Sequence, residues 1–153
     1  MIHYLHREQI IPMPVEKVWE YFCNPKNLNE ITPSDMNFEI IKGGDLKMFE
    51  GQLIEYRVEF IHGIHSLWLT EIAHVRDCEY FVDEQRIGPY RFWYHEHRFE
   101  STTNGTKMID HVTYAVPFAF LGDMLNALWI GKRLENIFDF RRHKIAELFG
   151  EVR

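Results

Sequence analysis

Two stretches in the last third of the chain decide the fold: residues 91–100 read RFWYHEHRFE, and residues 106–116 read TKMIDHVTYAV. Successive side chains of an extended strand point to opposite faces, so residues two apart share a face. Asn104 and Gly105 lie between the two stretches and are a strong hairpin signal. We therefore predict two neighbouring antiparallel strands. One face of each carries a mixed polar and aromatic set: Trp93, His95, His97 and Phe99 in the first, and Met108, Asp110, Val112 and Tyr114 in the second.

Residues 122–149 follow these strands and predict one long helix without an internal proline. Apolar residues at helical spacing, among them Leu134 and Ile137, form a stripe that must be buried. Gly131 lies within the helix at a cost of about 1 kcal/mol relative to Ala. Either the glycine leaves room for a ligand under the helix, or it permits a tight crossing over the sheet.

The first two thirds of the chain predict one further helical region and more strands. Residues 4–11 form a strand that ends at two prolines, and two short helices follow, the second over residues 26–31. Residues 38–41, 52–61, 64–72 and 80–86 then read as strands separated by turns. The element order predicts an α+β protein with a curved antiparallel sheet of six to seven strands around a long C-terminal helix.

Composition limits the class of protein. We expect the 153 residues to form a single domain, 1–153. A net charge of −6 argues against a nucleic-acid partner. No run approaches the roughly 20 apolar residues of a spanning helix, so we expect no stable membrane insertion. The N-terminal residues lack the apolar core of a signal peptide, and two cysteines do not suggest a disulfide framework, so we expect a cytoplasmic protein.

The ordered motifs along the chain resemble those of a known superfamily. They begin with IPMPVEKVWEYF over residues 11–22 and continue with WLTEI (68–72), FVDEQ (81–85), GPY (88–90) and WYHEHRF (93–99). DHVTYAVP (110–117) and IFDFR (137–141) complete the set. This series is similar to the START-like, helix-grip superfamily, also called SRPBCC or polyketide cyclase-like, and within it to the bacterial ligand-binding subgroup. The resemblance implies a helix-grip fold and a lipid-, polyketide- or isoprenoid-like ligand.

Strand parity groups a set of polar side chains on the inner face of the predicted sheet. His95, His97 and Asp110 are the candidates for catalysis, and we expect them near Asp83 and Gln85 on the neighbouring strand. Aromatic residues on the same faces, with the opposing helix, complete the predicted ligand-binding set: Tyr56, Trp68, Asp83, Gln85, Trp93, His95, His97, Phe99, Asp110, Tyr114, Gly131 and Leu134.

This polar set admits four interpretations. The first is a buried hydrogen-bond network that satisfies polar groups inside an apolar barrel. The second is the polar end of a ligand pocket. The third is a metal site, since two His on one strand and a carboxylate form a 2-His-1-carboxylate set. Two ligands on one strand are a weak signal and the resembled superfamily does not usually bind metal this way, so we predict no metal and no cofactor. The fourth is acid–base catalysis by a His held by an Asp.

Three classes of function remain open from the sequence. The first is binding or carriage of a hydrophobic or amphipathic small molecule between sheet and helix. The second is a cyclase- or dehydrase-type enzyme with His95 or His97 as proton shuttle. The third is an interaction module for an epimerase-like partner, which the resemblance implies because related domains are fused to such enzymes. We predict binding without assigning an activity.

Overall fold

A seven-stranded antiparallel sheet forms the body of the protein and confirms the predicted α+β helix-grip fold. The structure, a computed structural model, describes residues 1–152, without the side chains of residues 119 and 120. The strands are β1 (His3–Ile11), β2 (Glu39–Lys42), β3 (Gln52–Ile61), β4 (Ile64–Arg76), β5 (Tyr80–Ile87), β6 (Phe92–Thr102) and β7 (Gly105–Ala115).

Strand order follows from hairpins between consecutive strands. Each of β2 to β6 pairs with the next strand in the chain, and β1 pairs with β7, which gives the order β1-β7-β6-β5-β4-β3-β2. The Asn104–Gly105 signal is the turn between β6 and β7, where Thr102 pairs with Gly105. β1 and β2 are therefore the two edges of the sheet.

The helical segments lie after β1 and at the C-terminus. Helix α1 (Val15–Phe22) follows β1, and two 3₁₀ segments, Pro25–Asn29 and Ser34–Met36, lead to β2. The second predicted short helix is thus a 3₁₀ turn, and a third short segment follows it. After β7, the chain forms α2 (Ala119–Leu125), a π-helical segment (Asn126–Ile130) and α3 (Gly131–Phe149) without a break; we call the three together the C-terminal helix.

The apolar face of the sheet is buried under these helices. Leu134, Ile137 and Phe138 of α3 pack with Val58, Trp93 and other apolar residues of β1, β3, β6 and β7. At the other end α1 covers the sheet, where the ring centre of Trp19 lies 5.6 Å from that of Phe99 in an edge-to-face contact. The period-two strand pattern and the helical stripe therefore meet at one interface, as the sequence predicts.

No helix among residues 1–152 is both long enough and apolar enough to cross a membrane.

Candidate functional site

Strands β5, β6 and β7 bring two histidines and two aspartates together on the concave face of the sheet. His95 of β6 lies opposite Asp83 of β5, and His97 lies opposite Asp110 of β7. Directly opposed antiparallel residues on one face have Cβ atoms about 4.5–5.5 Å apart, so each imidazole starts next to a carboxylate. We call Asp83, His95, His97 and Asp110 the polar cluster.

Each histidine of the polar cluster contacts both carboxylates. His97 Nε2 lies 2.7 Å from Asp83 Oδ2, and His95 Nε2 lies 2.8 Å from Asp110 Oδ1. The remaining ring nitrogens lie further away, with His95 Nδ1 3.4 Å from Asp83 Oδ2 and His97 Nδ1 3.2 Å from Asp110 Oδ1. Trp93 Nε1 also donates a hydrogen bond of 3.1 Å to Asp83 Oδ1.

Burial and these contacts together set the protonation of the polar cluster. Burial favours neutral carboxyl groups, but hydrogen bonds from both histidines outweigh it and hold the pKa of Asp110 well below its usual range. Burial is likewise overcome at Asp83, where the charges and hydrogen bonds of the histidines lower the pKa. Burial and the neighbouring His97 lower the pKa of His95, whereas both carboxylates raise that of His97 against its burial. These shifts all favour the charged form of Asp83, Asp110 and His97 and the neutral form of His95.

A fifth charged group, Arg141 of α3, lies beside the polar cluster. Its Nη1 lies 3.8 Å from Asp110 Oδ1, and its guanidinium carbon lies 5.0 Å from the ring centre of Phe138. Only 11% of the side chain is exposed. The guanidinium balances the charge that remains on the polar cluster when one imidazole is protonated.

A cavity of about 150 Å³ lies between the sheet and the helices, with part of the polar cluster in its wall. Asp83, His95 and His97 line it, whereas Asp110 lies behind them. Most of the remaining wall is apolar and aromatic, including the pair Trp68 and Trp93, whose ring centres are 5.2 Å apart. The site is an apolar chamber with one charged wall, which is the usual composition of a pocket for an amphipathic small molecule.

Seven of the twelve predicted site residues line this cavity. They come from four strands of the sheet and from α3, as the parity of the strands and the helical stripe predict: Tyr56, Trp68, Asp83, Trp93, His95, His97 and Leu134.

The other five predicted site residues do not line the cavity. Asp110 supports the two histidines from behind, and Phe99 belongs to the core under α1. Gln85 holds a turn, because its side-chain amide both donates to Tyr90 O at 2.6 Å and accepts from Tyr90 N at 3.1 Å. This clamp also occupies the space beside Gly88, where an added Cβ would collide with the Gln85 amide.

Tyr114 and Gly131, the remaining two, contact each other rather than the cavity. A Cβ added to Gly131 would lie 3.6 Å from the Tyr114 hydroxyl oxygen and 3.1 Å from Asn126 O, the carbonyl of the π-helical segment that accepts from the Gly131 N–H. Of the two alternatives for Gly131, the structure therefore favours the tight helix crossing over the space for a ligand.

Sequence reasoning missed several residues of the cavity wall. Arg141 belongs to a run of basic residues near the end of a helix, a pattern typical of solvated side chains, but its side chain is largely buried beside Asp110. Its spacing was informative, since Leu134, Phe138 and Arg141 recur three and four residues apart on the buried stripe. Residues of the 3₁₀ segments and the loops around them, such as Leu28 and Met36, also line the cavity but follow no regular period.

Comparison with known proteins places the fold within one structural class. No family model matches the sequence, and no curated protein matches it. Among solved structures, the chain is similar to the Zhui aromatase/cyclase from Streptomyces sp. R1128, with 14% identity, a TM-score of 0.67 and coverage of 99% of this chain and 100% of that chain.

Two further structures extend the likeness. The ginseng major latex-like protein 151 from Panax ginseng has 12% identity and a TM-score of 0.71, with 97% of this chain and 98% of that chain covered. TTHA0849 from Thermus thermophilus has 17% identity and a TM-score of 0.69, with 95% and 99% covered. Identities this low establish the fold alone, and they confirm that the chain has the START-like, SRPBCC type of fold that its motifs resemble.

Proposed function

We propose that the protein binds a hydrophobic or amphipathic small molecule in the cavity, with the polar group of the ligand at the polar cluster. The observation that carries this proposal is a largely apolar cavity between the sheet and the helices whose wall includes Asp83, His95 and His97. Covering such a wall with the apolar body of a ligand is favourable by about 25 cal/mol per Å² of apolar surface removed from water.

The cavity volume narrows the class of ligand. Pockets for drug-sized molecules measure about 300–1,000 Å³, which is more than the roughly 150 Å³ found here. A compact body of one or two rings, or a short branched chain, therefore suits the chamber better than a long acyl chain. The predicted ligand classes are lipid-, polyketide- and isoprenoid-like molecules. The cavity volume favours small polyketide-like or isoprenoid-like molecules over lipids.

Titration with compact aromatic compounds tests the proposal. Trp68 and Trp93 line the cavity, so 2-naphthol or 1-naphthoic acid should quench tryptophan fluorescence in a saturable way. A ligand at 100 times its dissociation constant should also stabilise the fold by about 2.7 kcal/mol, measured as a rise in Tm. The proposal is contradicted when neither compound, nor short-chain analogues of each, gives saturable quenching or a rise in Tm.

Two substitutions on β3 provide a matched pair for this experiment. Val58→Phe places extra volume into the cavity wall, whereas Leu53→Phe adds the same ring at a position that is half exposed on the same strand. We expect the first to weaken binding at least tenfold and the second to leave it unchanged. Equal affinities of two folded variants would mean that the compounds bind elsewhere.

A second candidate function, acid–base catalysis of a cyclisation or dehydration, is favoured by one observation. His95 and His97 both line the cavity and both lie within 2.8 Å of a carboxylate oxygen, so a neutral His95 is placed as a general base and a protonated His97 as a general acid. Incubation with a cyclic β-hydroxy ketone, followed by the ultraviolet absorption of the conjugated product, tests it. His95→Gln and His97→Gln keep a hydrogen-bonding side chain but lose the titratable ring, so they should abolish turnover while retaining saturable binding; turnover equal to the buffer rate in the parent protein contradicts this candidate.

The interaction with an epimerase-like partner stays a prediction from the resemblance. An exposed apolar strip does lie on α2 and the π-helical segment, where Leu121 and Leu128 are 60% and 71% exposed. Because the interior contains a cavity with a polar wall, small-molecule binding has the stronger support.

A further inference from the structure

Three donor atoms of the polar cluster converge on one point of the cavity wall. Asp83 Oδ2 lies 2.7 Å from His97 Nε2 and 3.4 Å from His95 Nδ1, and each of the three residues has a possible ligand atom within 4.8 Å of those of the other two. Ligand atoms at about 2.0–2.2 Å from a transition metal are separated by about 2.8–3.6 Å in tetrahedral or octahedral geometry. The two short separations are thus close to those of a coordination sphere.

The outward ring nitrogens have a common partner. His95 Nε2 lies 2.8 Å and His97 Nδ1 3.2 Å from the same oxygen, Asp110 Oδ1. Metal-bound histidines usually donate their second N–H to a carboxylate, which fixes the ring and its tautomer. His97 Nδ1 is buried, and its contact with Asp110 Oδ1 is longer than that of His95 Nε2 and is not a well-formed hydrogen bond, so Asp110 holds the His95 ring more closely than the His97 ring.

Orientation and charge agree with this arrangement. Asp83, His95 and His97 face the cavity, whereas Asp110 faces a small hollow on the other side, together with Arg7. Open coordination positions would therefore point into the cavity, as in a catalytic or ligand-binding metal site. The two carboxylates each carry one negative charge. A divalent ion with two neutral imidazoles neutralises this charge; without an ion, a protonated histidine and Arg141 are both needed to do so.

We propose that Asp83 Oδ2, His95 Nδ1 and His97 Nε2 bind a divalent first-row transition-metal ion, and that Asp110 is the positioning residue for both imidazoles. Two nitrogen donors and one carboxylate suit Zn²⁺, Fe²⁺, Co²⁺ or Ni²⁺ and disfavour Mg²⁺ or Ca²⁺. The ion takes the place of the hydrogen atom between His97 Nε2 and Asp83 Oδ2, and that proton passes to solvent. This proposal reverses the expectation of no metal drawn from sequence, because the sequence does not reveal that both histidines share one carboxylate behind them.

Ring-nitrogen NMR of the unaltered protein tests the proposal directly. After removal of metal with a chelator, ZnCl₂ is added to ¹⁵N-labelled protein and the histidine ring signals are followed. We expect a saturable change at a ratio of one ion per chain, confined to His95 Nδ1 and His97 Nε2, with hydrogen on His95 Nε2 and His97 Nδ1. Unchanged signals of both rings at a tenfold excess of zinc would overturn the proposal.

A second histidine group on the surface provides the control. His6 Nδ1 lies 3.1 Å from His111 Nδ1, and His6 Nε2 lies 3.2 Å from Glu8 Oε1, so exposed residues also offer zinc a contact. We call His6, Glu8 and His111 the surface cluster. Zinc binding that is lost in His111→Gln, or that changes only the His6 and His111 rings, would also overturn the proposal.

Calorimetric titration of variants separates ligands from the positioning residue. Asp83→Asn and His97→Gln should lose at least a hundredfold in zinc affinity, and Asp110→Asn should lose about 10–100-fold, as substitutions behind metal ligands do. His111→Gln should bind as the parent does. Parent-like affinity in folded Asp83→Asn would contradict the ligand set, and if that variant does not fold, the NMR result on the parent decides alone.

Discussion

The polar cluster and the surface cluster both combine histidines with carboxylates on the same sheet, yet they lie on opposite faces. Asp110 and His111 are consecutive residues of β7; Asp110 is buried behind the cavity, and His111 is exposed opposite His6 of β1. A single residue along the strand therefore separates a buried charged group from a solvated one. Strand register, rather than composition, decides where the chemistry of this protein lies.

Contacts between charged groups contribute differently to stability in the two clusters, because one is solvated and the other is buried. Lys107 of β7 and His6 lower the pKa of Glu8, but all these groups are solvated and salt screens them. The histidines lower the pKa of Asp110 against an opposing effect of burial, so loss of one partner leaves a charge that water cannot reach. We therefore expect substitutions in the polar cluster to cost far more stability than matched ones in the surface cluster.

The largest difference should separate two neighbouring positions of β7. Asp110→Ala leaves the imidazolium and Arg141 without their carboxylate and should lower the free energy of unfolding by about 3–5 kcal/mol. His111→Ala should change it by no more than about 0.5 kcal/mol, as for most surface substitutions. Chemical denaturation followed by circular dichroism measures both. Equal losses of unfolding free energy in the two variants would contradict the difference expected between the buried and the exposed cluster.

Arg141 and Arg142 give the second matched pair, on α3. Arg141 is largely buried beside Asp110, whereas Arg142 is exposed. Arg141→Met removes a cation next to a buried carboxylate and should cost about 2 kcal/mol, while Arg142→Met should cost at most about 0.5 kcal/mol. Chemical denaturation measures both variants. A larger loss of unfolding free energy in Arg142→Met than in Arg141→Met would contradict the role given to Arg141.

A smaller effect is expected when a single hydrogen bond to the polar cluster is removed. Trp93→Phe retains most of the apolar contact but deletes the 3.1 Å bond from Nε1 to Asp83 Oδ1, which should cost about 1 kcal/mol. Trp129→Phe, at a partly exposed position of the π-helical segment, is the control. Differential scanning calorimetry should resolve a lower Tm for the first variant alone, and indistinguishable Tm values would contradict the role given to Nε1.

The smallest change is expected at a position that contacts neither cluster. Gly131→Ala gains up to about 1 kcal/mol of helix propensity, but its Cβ would approach Asn126 O to 3.1 Å, a contact that offsets the gain. We expect a net change within about 0.5 kcal/mol and unaltered binding of naphthol, read from Tm and from fluorescence. A clear loss of naphthol binding would contradict the conclusion that Gly131 lies outside the cavity wall.

Regular periodicity explains which parts of this molecule can be predicted from sequence. Period-two alternation placed His95 and His97 on the concave face, and the hairpin at Asn104 and Gly105 fixed their neighbours. The parity of a residue predicts which face of the sheet its side chain lies on, but not how far along the strand the cavity extends. Phe99 and Tyr114 share the predicted face but lie beyond the ends of the cavity. Leu28 and Met36 were missed because 3₁₀ segments and loops have no face that a pattern can reveal.

The charge of Arg141 concealed its position. A run of basic residues near the end of a helix usually lies in solvent, and Arg142 is exposed in this way. Arg141 departs from this rule because a buried carboxylate lies within reach of its guanidinium. Only tertiary structure shows that partner, since Asp110 and Arg141 come from different elements.

The open order of the sheet leaves β1 as a long edge strand, nine residues in length. The C-terminal helix is fastened to it, since Gln9 Nε2 donates to Arg142 O at 2.9 Å and Arg7 lies 3.6 Å from Asp139. Unpaired strand edges are templates for pairing between molecules, and charged side chains or a covering helix suppress that reaction. The helix that covers the cavity is thus also held against one edge strand of the sheet, and we expect a chain that lacks the helix to aggregate more readily through β1.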